Sequence, residues 1–133
     1  MTFTQSGSAT RNSIIIIFAV CAVLVFAVML LPKGFSDDLT VIGKGTPAVV
    51  LTQDKNSVKS LEWMELLNRI RSDYADRVQF LAVDFNSEEG RAFSVQQGAD
   101  GSELLLFDAG GVKQAVLAPG VDERQLRSDL DAL

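Results

Sequence analysis

A strand–helix–strand pattern between residues 46 and 85 constrains the fold of this chain more than any other feature. Two short apolar runs, at 48–51 and 78–83, are bounded by polar or turn residues, as buried strands are. The segment between them has the apolar spacing of an amphipathic helix. Because such a helix makes a right-handed crossover, the two strands are predicted to be parallel neighbours in one sheet.

The predicted helix carries apolar residues at every third position, and these are expected to face the sheet. They are Val58, Leu61, Met64, Leu67 and Ile70, with Trp63, Leu66 and Tyr74 widening the stripe. Charged and amide side chains occupy the remaining surface, which indicates a helix with one solvated face.

The C-terminal part of the chain predicts a short helix, a hairpin and a last helix. Ser87 is expected to cap the short helix. Residues 103–108 and 112–118 are predicted to form antiparallel strands joined by a tight turn at 109–111. Asp122 is expected to cap the last helix, with Gln125 three residues later as in a capping box. The whole pattern is that of an α/β domain with a mixed sheet, βαβ followed by ββα.

The composition disfavours several classes of function. The chain has 133 residues and a formal net charge of −5, and no cluster of Lys and Arg is present to bind nucleic acid. It contains no His, and its one cysteine, Cys21, lies in an apolar N-terminal segment. Thiol redox catalysis and Cys or His metal sites are therefore not expected in the C-terminal domain. We expect neither a metal nor a cofactor.

An uncharged apolar run begins at Ile14 and ends at Leu31, and it is long enough for a helix of about 27 Å that contacts the lipid bilayer. Residues 14–32 are predicted to form a single transmembrane helix, preceded by a flexible tail at 1–13 and followed by a linker at 33–45. A cleaved signal peptide is the alternative, although its apolar region is usually shorter and ends at small residues. A lipoprotein site at Cys21 is a poor match, because small residues do not directly precede it as that site requires.

The sequence gives only weak signals for how the predicted membrane helix packs and how it is oriented. Ala19, Ala22 and Ala27 could let another helix approach closely, but the run has no Gly-x-x-x-Gly pair, and a surface that faces lipid is favoured for most of it. The flanking charges at Arg11 and Lys33 barely discriminate the orientation.

The order of elements in residues 46–133 resembles that of the thioredoxin family, and local sequence adds to the resemblance. The acidic strand exit at 83–86 and the apolar strand with its glycine turn at 104–111 look like the corresponding segments of that family, and Gly120 falls where the family has a glycine. The resemblance implies a thioredoxin-like domain that follows one membrane helix in the chain. By analogy with membrane-anchored members, it places the domain on the periplasmic or luminal side of a bacterial inner membrane or a thylakoid-type membrane.

The departures from the family bear on activity. The family's Cys-x-x-Cys motif falls near Ser57, Val58, Lys59 and Ser60, so both sulfurs are replaced by hydroxyls. Disulfide exchange needs a thiolate, which serine does not provide. The family's cis-proline falls near Ser102. The resemblance therefore implies a thioredoxin-like domain without oxidoreductase activity.

Other candidate sites have structural explanations that we favour. Ser57, Lys59 and Ser60 could form a Ser–Lys hydrolytic pair, but an exposed first helical turn does not desolvate a lysine, so a capping serine and a solvated lysine are expected. The acidic segment 84–89 lacks the glycine and glutamate spacing of a calcium loop and is interpreted as a strand exit followed by a helix N-terminus. The pair Gly110 and Gly111 is interpreted as a hairpin turn rather than a phosphate loop.

Trp63 is the one tryptophan of the chain, and it lies near the edge of the predicted stripe. Packing in the core is favoured. If exposed, Trp63 would be a natural anchor for a protein partner, together with Ser57, Ser60 and Ser102, where the family binds extended peptide.

These observations favour a noncatalytic, membrane-anchored thioredoxin-like module that binds protein or has a structural role. Its expected setting is an integral-membrane complex of respiratory, photosynthetic or cytochrome-maturation type, as an accessory subunit or assembly factor. The alternatives are a component of a periplasmic thiol–disulfide pathway and a peptide-binding, chaperone-like factor.

Overall fold

The computed structural model describes residues 6–30 and 34–133, and the chain divides into two units, at 1–34 and 35–133. The described residues of the N-terminal unit include one helix, α1 (Ser6–Leu30). Within it, Thr10–Leu30 is long and apolar enough to cross a membrane, and it could be a membrane anchor or a signal sequence. Residues 1–5 and 31–33, which hold parts of the predicted tail, span end and linker, lie outside the described residues.

The helix α1 begins earlier than the apolar run predicts. Residues 6–13 were expected to belong to a flexible tail, but they form its first turns. The reason is that nucleation is the costly step of helix formation, so the helix formed by the apolar run can extend into the residues before it, each of which adds a hydrogen bond.

The C-terminal unit contains four strands and three α-helices within the described residues 35–133. In chain order they are β1 (Ala48–Gln53), α2 (Val58–Tyr74), β2 (Gln79–Asp84), α3 (Glu88–Gln97), β3 (Leu104–Phe107), β4 (Lys113–Leu117) and α4 (Glu123–Asp131). The predicted α/β class and the order βαβ then ββα are confirmed.

The four strands form one mixed sheet in the order β2-β1-β3-β4. β1 is parallel to β2, with Ala48 opposite Gln79, and β3 is antiparallel to both β1 and β4. Since β1 has a neighbour on each side and helices on both faces, it is buried throughout Ala48–Thr52. The predicted crossover and hairpin are both present.

The sheet separates two cores, because alternate residues of a strand face opposite sides. Val49 and Leu51 point to the face covered by α2 and α4, where Trp63, Leu67, Ile70, Leu126 and Leu130 are buried. Ala48 and Val50 point to the other face, covered by α3 and by the segment that contains Leu39, Val41 and Ile42.

The buried face of α2 differs from the predicted stripe. Val58 and Leu61 are exposed, whereas Ser60 is buried with Trp63, Leu66, Leu67, Ile70 and Tyr74. In a helix of about 3.6 residues per turn, positions three apart drift by about 60° at each step. The residues at the start of the predicted stripe have therefore rotated out of the sheet-facing side.

The segment at 35–45, interpreted from the sequence as a linker, packs on the domain. The rings of Phe35 and Phe80 lie 6.3 Å apart, and the Ala82 N–H donates to the Ser36 carbonyl at 2.9 Å on the outer edge of β2. At its other end, the Gly45 N–H donates to the Ala109 carbonyl at 3.0 Å. The apolar residues of this segment thus form part of the fold rather than a spacer.

Candidate functional site

The first turn of α2 holds the four residues at 57–60. Ser57 occupies the N-cap position, but its side chain makes no capping hydrogen bond. The preceding turn is held by Asp54 instead, whose carbonyl accepts from the Ser57 N–H at 3.0 Å and whose Oδ1 accepts from the Asn56 N–H at 3.0 Å. The expected capping by the Ser57 side chain is therefore absent.

Ser60 is buried at the end of the sheet, with 1% of its surface exposed. Its Oγ accepts a hydrogen bond from the Asp54 N–H at 2.9 Å and lies 2.6 Å from Ser102 Oγ, where either hydroxyl can donate. Because Ser102 is also buried, the contact between the two hydroxyls gives each of them a hydrogen-bond partner inside the protein.

Ser102 lies on the loop that precedes β3, and it too is buried. Its φ of 67° is in the left-handed region, which non-glycine residues rarely occupy, and none of the described residues has a cis peptide bond. The Ser102 N–H donates to the Thr52 carbonyl at 2.6 Å, and the Ser102 carbonyl accepts from Trp63 Nε1 at 3.0 Å. Every polar group of Ser102 is thus bound within the protein. We call Ser60, Trp63 and Ser102 the serine lock.

Trp63 is 3% exposed, so the favoured interpretation, packing in the core, describes its place in the structure. The alternative of an exposed anchor is wrong, because the indole is enclosed and its N–H is bound to Ser102. Ser60 and Ser102 are likewise buried and offer no surface to a partner.

The other sequence candidates are separate from the serine lock. Lys59 is exposed, and Ser60 binds Ser102 rather than Lys59, so the Ser–Lys pair does not form. Asp84 Oδ1 accepts from the Asn86 N–H at 2.9 Å. Ser87 Oγ caps α3 by accepting from the Gly90 N–H at 3.0 Å. On α1, the predicted packing residues Ala19, Ala22 and Ala27 are exposed.

The outer surface of the same α2 turn is apolar. Val58 and Leu61 are 71% and 59% exposed, and being three residues apart they lie on one side of the helix. Beside them, a groove of about 230 Å³ runs between α2 and the loop before α4, lined among others by Lys59, Glu62, Pro119 and Val121.

Sequence reasoning brought Ser60 and Ser102 to one site through the family resemblance but missed that they are buried, although a signal for the burial of Ser60 exists. Positions 60, 63, 67, 70 and 74 follow the alternating spacing of three and four that marks one helix face, and Ser60 is the only polar residue among them apart from the Tyr74 hydroxyl. No such spacing predicts the burial of Ser102, because it is 42 positions away on an irregular loop.

No protein-family model matches this chain, and no curated protein matches it. Among solved structures, it is similar to thioredoxin O2 from Arabidopsis thaliana in the oxidized state, with 21% identity and a TM-score of 0.58 over 71% of this chain and 84% of that chain. It is also similar to an uncharacterized thioredoxin-like protein from Clostridium perfringens, with 13% identity and a TM-score of 0.66 over 74% of this chain and 79% of that one. At these identities the likeness establishes the fold alone. The α/β domain of this chain therefore has a thioredoxin-like fold.

Proposed function

We propose that this chain is a noncatalytic binding module, held at a membrane by α1, that acts within an integral-membrane protein complex. The observation that carries the proposal is the serine lock. Ser60 and Ser102, at the positions that the family resemblance assigns to the redox motif and the cis-proline, bind one another at 2.6 Å inside the protein.

The chemistry of those positions supports a role without thiol–disulfide exchange. Thiol–disulfide exchange requires an accessible thiolate, and the hydroxyl of Ser60 neither ionises in the physiological range nor reaches solvent. The single cysteine of the chain, Cys21, belongs to the apolar helix α1. The serine lock is enclosed and uncharged, and the core of the domain around it is intact. Both features support a binding or structural role rather than a catalytic one.

The binding surface we propose is the exposed side of the first α2 turn. Val58 and Leu61 offer apolar area next to the groove lined by Lys59 and Glu62. Apolar anchors beside charged residues are the usual composition of a protein interface. Ser57 directly precedes this surface in the chain and is half-buried, whereas Ser60 and Trp63 of the serine lock lie on the buried face of the same helix.

The helix α1 supports a setting in a membrane, with the domain on the periplasmic or luminal side by analogy with anchored relatives of this fold. In that setting the chain would be an accessory subunit or assembly factor. A second candidate is a partner-dependent component of a thiol–disulfide pathway or a released peptide-binding factor, which is favoured by the thioredoxin among the structural neighbours.

The test is purification of the full-length protein from its native membrane in mild detergent, followed by mass spectrometry. We expect a stoichiometric integral-membrane partner. The partner should be lost from Val58→Asp/Leu61→Asp and retained by Val95→Asp, a control that places one charge at another exposed apolar residue. Acidic residues near a helix N-terminus are electrostatically favourable, so the double variant should remain folded.

Three outcomes would contradict the proposal. Purification of the chain without a partner would show that it does not belong to a stable complex. An intact mass that lacks the α1 segment would favour the released factor. Disulfide-reducing turnover by the purified full-length protein would restore the enzymatic alternative.

A further inference from the structure

Asp100 and Gly101 form the only Asp–Gly pair in the sequence, and they immediately precede Ser102 of the serine lock. The pair lies on the loop between α3 and β3, where Asp100 is exposed. An aspartate followed by glycine is the pair most open to attack on its side-chain carboxyl by the next backbone nitrogen, because glycine has no Cβ to obstruct the approach.

Both reacting groups are free in the part of the chain that the structure describes. Neither the Asp100 carboxyl nor the Gly101 N–H makes a hydrogen bond there. Other turn aspartates differ: Asp108 Oδ1 accepts from the Gly110 and Val112 N–H groups, each at 2.9 Å, and Asp122 Oδ1 accepts from the Gln125 N–H at 2.7 Å.

The chain on either side of the pair is fixed. The Ala99 N–H donates to the Ser94 carbonyl at 2.8 Å, and the Ser102 N–H donates to the Thr52 carbonyl at 2.6 Å. Between them, the Asp100 carbonyl accepts from Thr52 Oγ1 at 2.7 Å. A change in the length of the backbone at Asp100 therefore has to be absorbed by residues that are bound on both sides.

We propose that Asp100 is a site of spontaneous isomerisation to isoaspartate, and that this modification opens the serine lock. In the first step the Gly101 nitrogen loses its proton and bonds to Asp100 Cγ, while the Cγ–OH bond breaks and water leaves. In the second step water adds to the main-chain carbonyl carbon of Asp100, whose bond to nitrogen breaks. One water is lost and one gained, and no oxidant or reductant is needed.

The product carries its peptide chain through the former side chain. The backbone becomes one carbon longer, and the carbonyl that accepted from Thr52 becomes a free carboxylate. Ser102 is the second residue beyond the insertion, and its contacts with Thr52, Ser60 and Trp63 hold it at a φ of 67°. Displacement of Ser102 separates its carbonyl from Trp63 Nε1.

The experiment incubates the full-length protein in mild detergent at neutral pH and 37 °C, and locates isoaspartate by enzymatic methylation and electron-transfer fragmentation. Asp76 is the internal reference, because it is exposed but is followed by Arg77. We expect isoaspartate at Asp100 to form at least an order of magnitude faster than at Asp76. The emission of Trp63, the only tryptophan, should move to longer wavelength in proportion.

Two variants complete the test. Asp100→Glu retains the charge but would need a larger ring, so it should show neither isoaspartate nor the emission change. Asp100→Asn should pass through the same cyclic imide faster, with release of ammonia. Equal rates of isoaspartate formation at Asp100 and Asp76 would overturn the assignment of Asp100 as the modification site. Accumulation of isoaspartate with unchanged Trp63 emission, or the same emission change in Asp100→Glu, would overturn its link to the serine lock.

Discussion

Ser60 Oγ and Ser102 Oγ lie 2.6 Å apart and join the first turn of α2 to the loop before β3. Both residues are buried, and Trp63 Nε1 donates to the Ser102 carbonyl at 3.0 Å. Because all these polar groups have partners, burying them carries no penalty for unsatisfied hydrogen bonds. We therefore expect the serine lock to stabilise the domain, at the positions where the family resemblance places the redox motif and the cis-proline.

Removing either hydroxyl should destabilise the domain. Ser60→Ala leaves the Asp54 N–H without its acceptor, and we expect a loss of about 1–3 kcal/mol in the free energy of unfolding. Ser102→Ala should act similarly, and the double variant should cost less than the sum, with a coupling of about 0.5–3 kcal/mol. Urea denaturation followed by Trp63 fluorescence measures all three values.

Ser57→Ala is the matched control for these variants. The Ser57 side chain makes no capping bond, so its removal should change the free energy of unfolding by less than about 0.5 kcal/mol. An additive double variant, or equal losses at Ser57 and Ser60, would contradict the assigned contact.

The buried face of α2 can be tested by shortening two leucines. Leu67 is buried in the core, so Leu67→Ala should cost about 2–5 kcal/mol. Leu61 is exposed, and Leu61→Ala should change stability by no more than about 0.5 kcal/mol. Thermal or urea unfolding distinguishes them, and a large loss at Leu61 would support the stripe predicted from the sequence instead.

Two adjacent glycines of the β3–β4 turn should respond differently to alanine. Gly111 has φ 84°, and an added Cβ would lie 3.0 Å from Gly43 Cα on the segment 35–45. Gly111→Ala should therefore cost about 1–3 kcal/mol through backbone strain. At Gly110 the added Cβ would meet only Asp108 Oδ1, at 3.4 Å, so Gly110→Ala should cost clearly less. Denaturation of both variants compares them directly, and a smaller loss at Gly111 than at Gly110 would contradict the close approach.

Tyr74 should titrate above its ordinary range. Burial raises the pKa of its hydroxyl, and the nearby Asp131 carboxylate raises it further. The folded state then holds this proton to higher pH than the unfolded chain does, so the stability that depends on it is present below about pH 10 and is lost as pH rises through the folded pKa.

The absorbance of the phenolate reports this titration, because Tyr74 is the only tyrosine. The midpoint in the folded protein should exceed that in urea, and Tyr74→Phe should flatten the loss of stability at alkaline pH. Equal midpoints in the folded and unfolded protein would contradict the effect of burial.

Most of the architecture could be predicted from local patterns. The runs at 48–51 and 78–83, the cap at Ser87 and the turn at 109–111 each depend on residues that are close in sequence, so periodicity and turn chemistry identified them. The linker at 35–45 was misjudged, because its Gly, Ser and Asp residues resemble a spacer, while its packing depends on a sheet edge and a hairpin distant in sequence.

For the candidate site, the sequence by itself determined the chemical groups: hydroxyls rather than thiols, no histidine, and a cysteine confined to an apolar helix. Only the tertiary structure decided that Ser60 faces inward, that Val58 and Leu61 face outward, and that Ser102 is buried against Ser60. The physical reason is that composition limits which reactions are possible, whereas burial depends on how α2 is rotated against the sheet and on a loop brought from far along the chain.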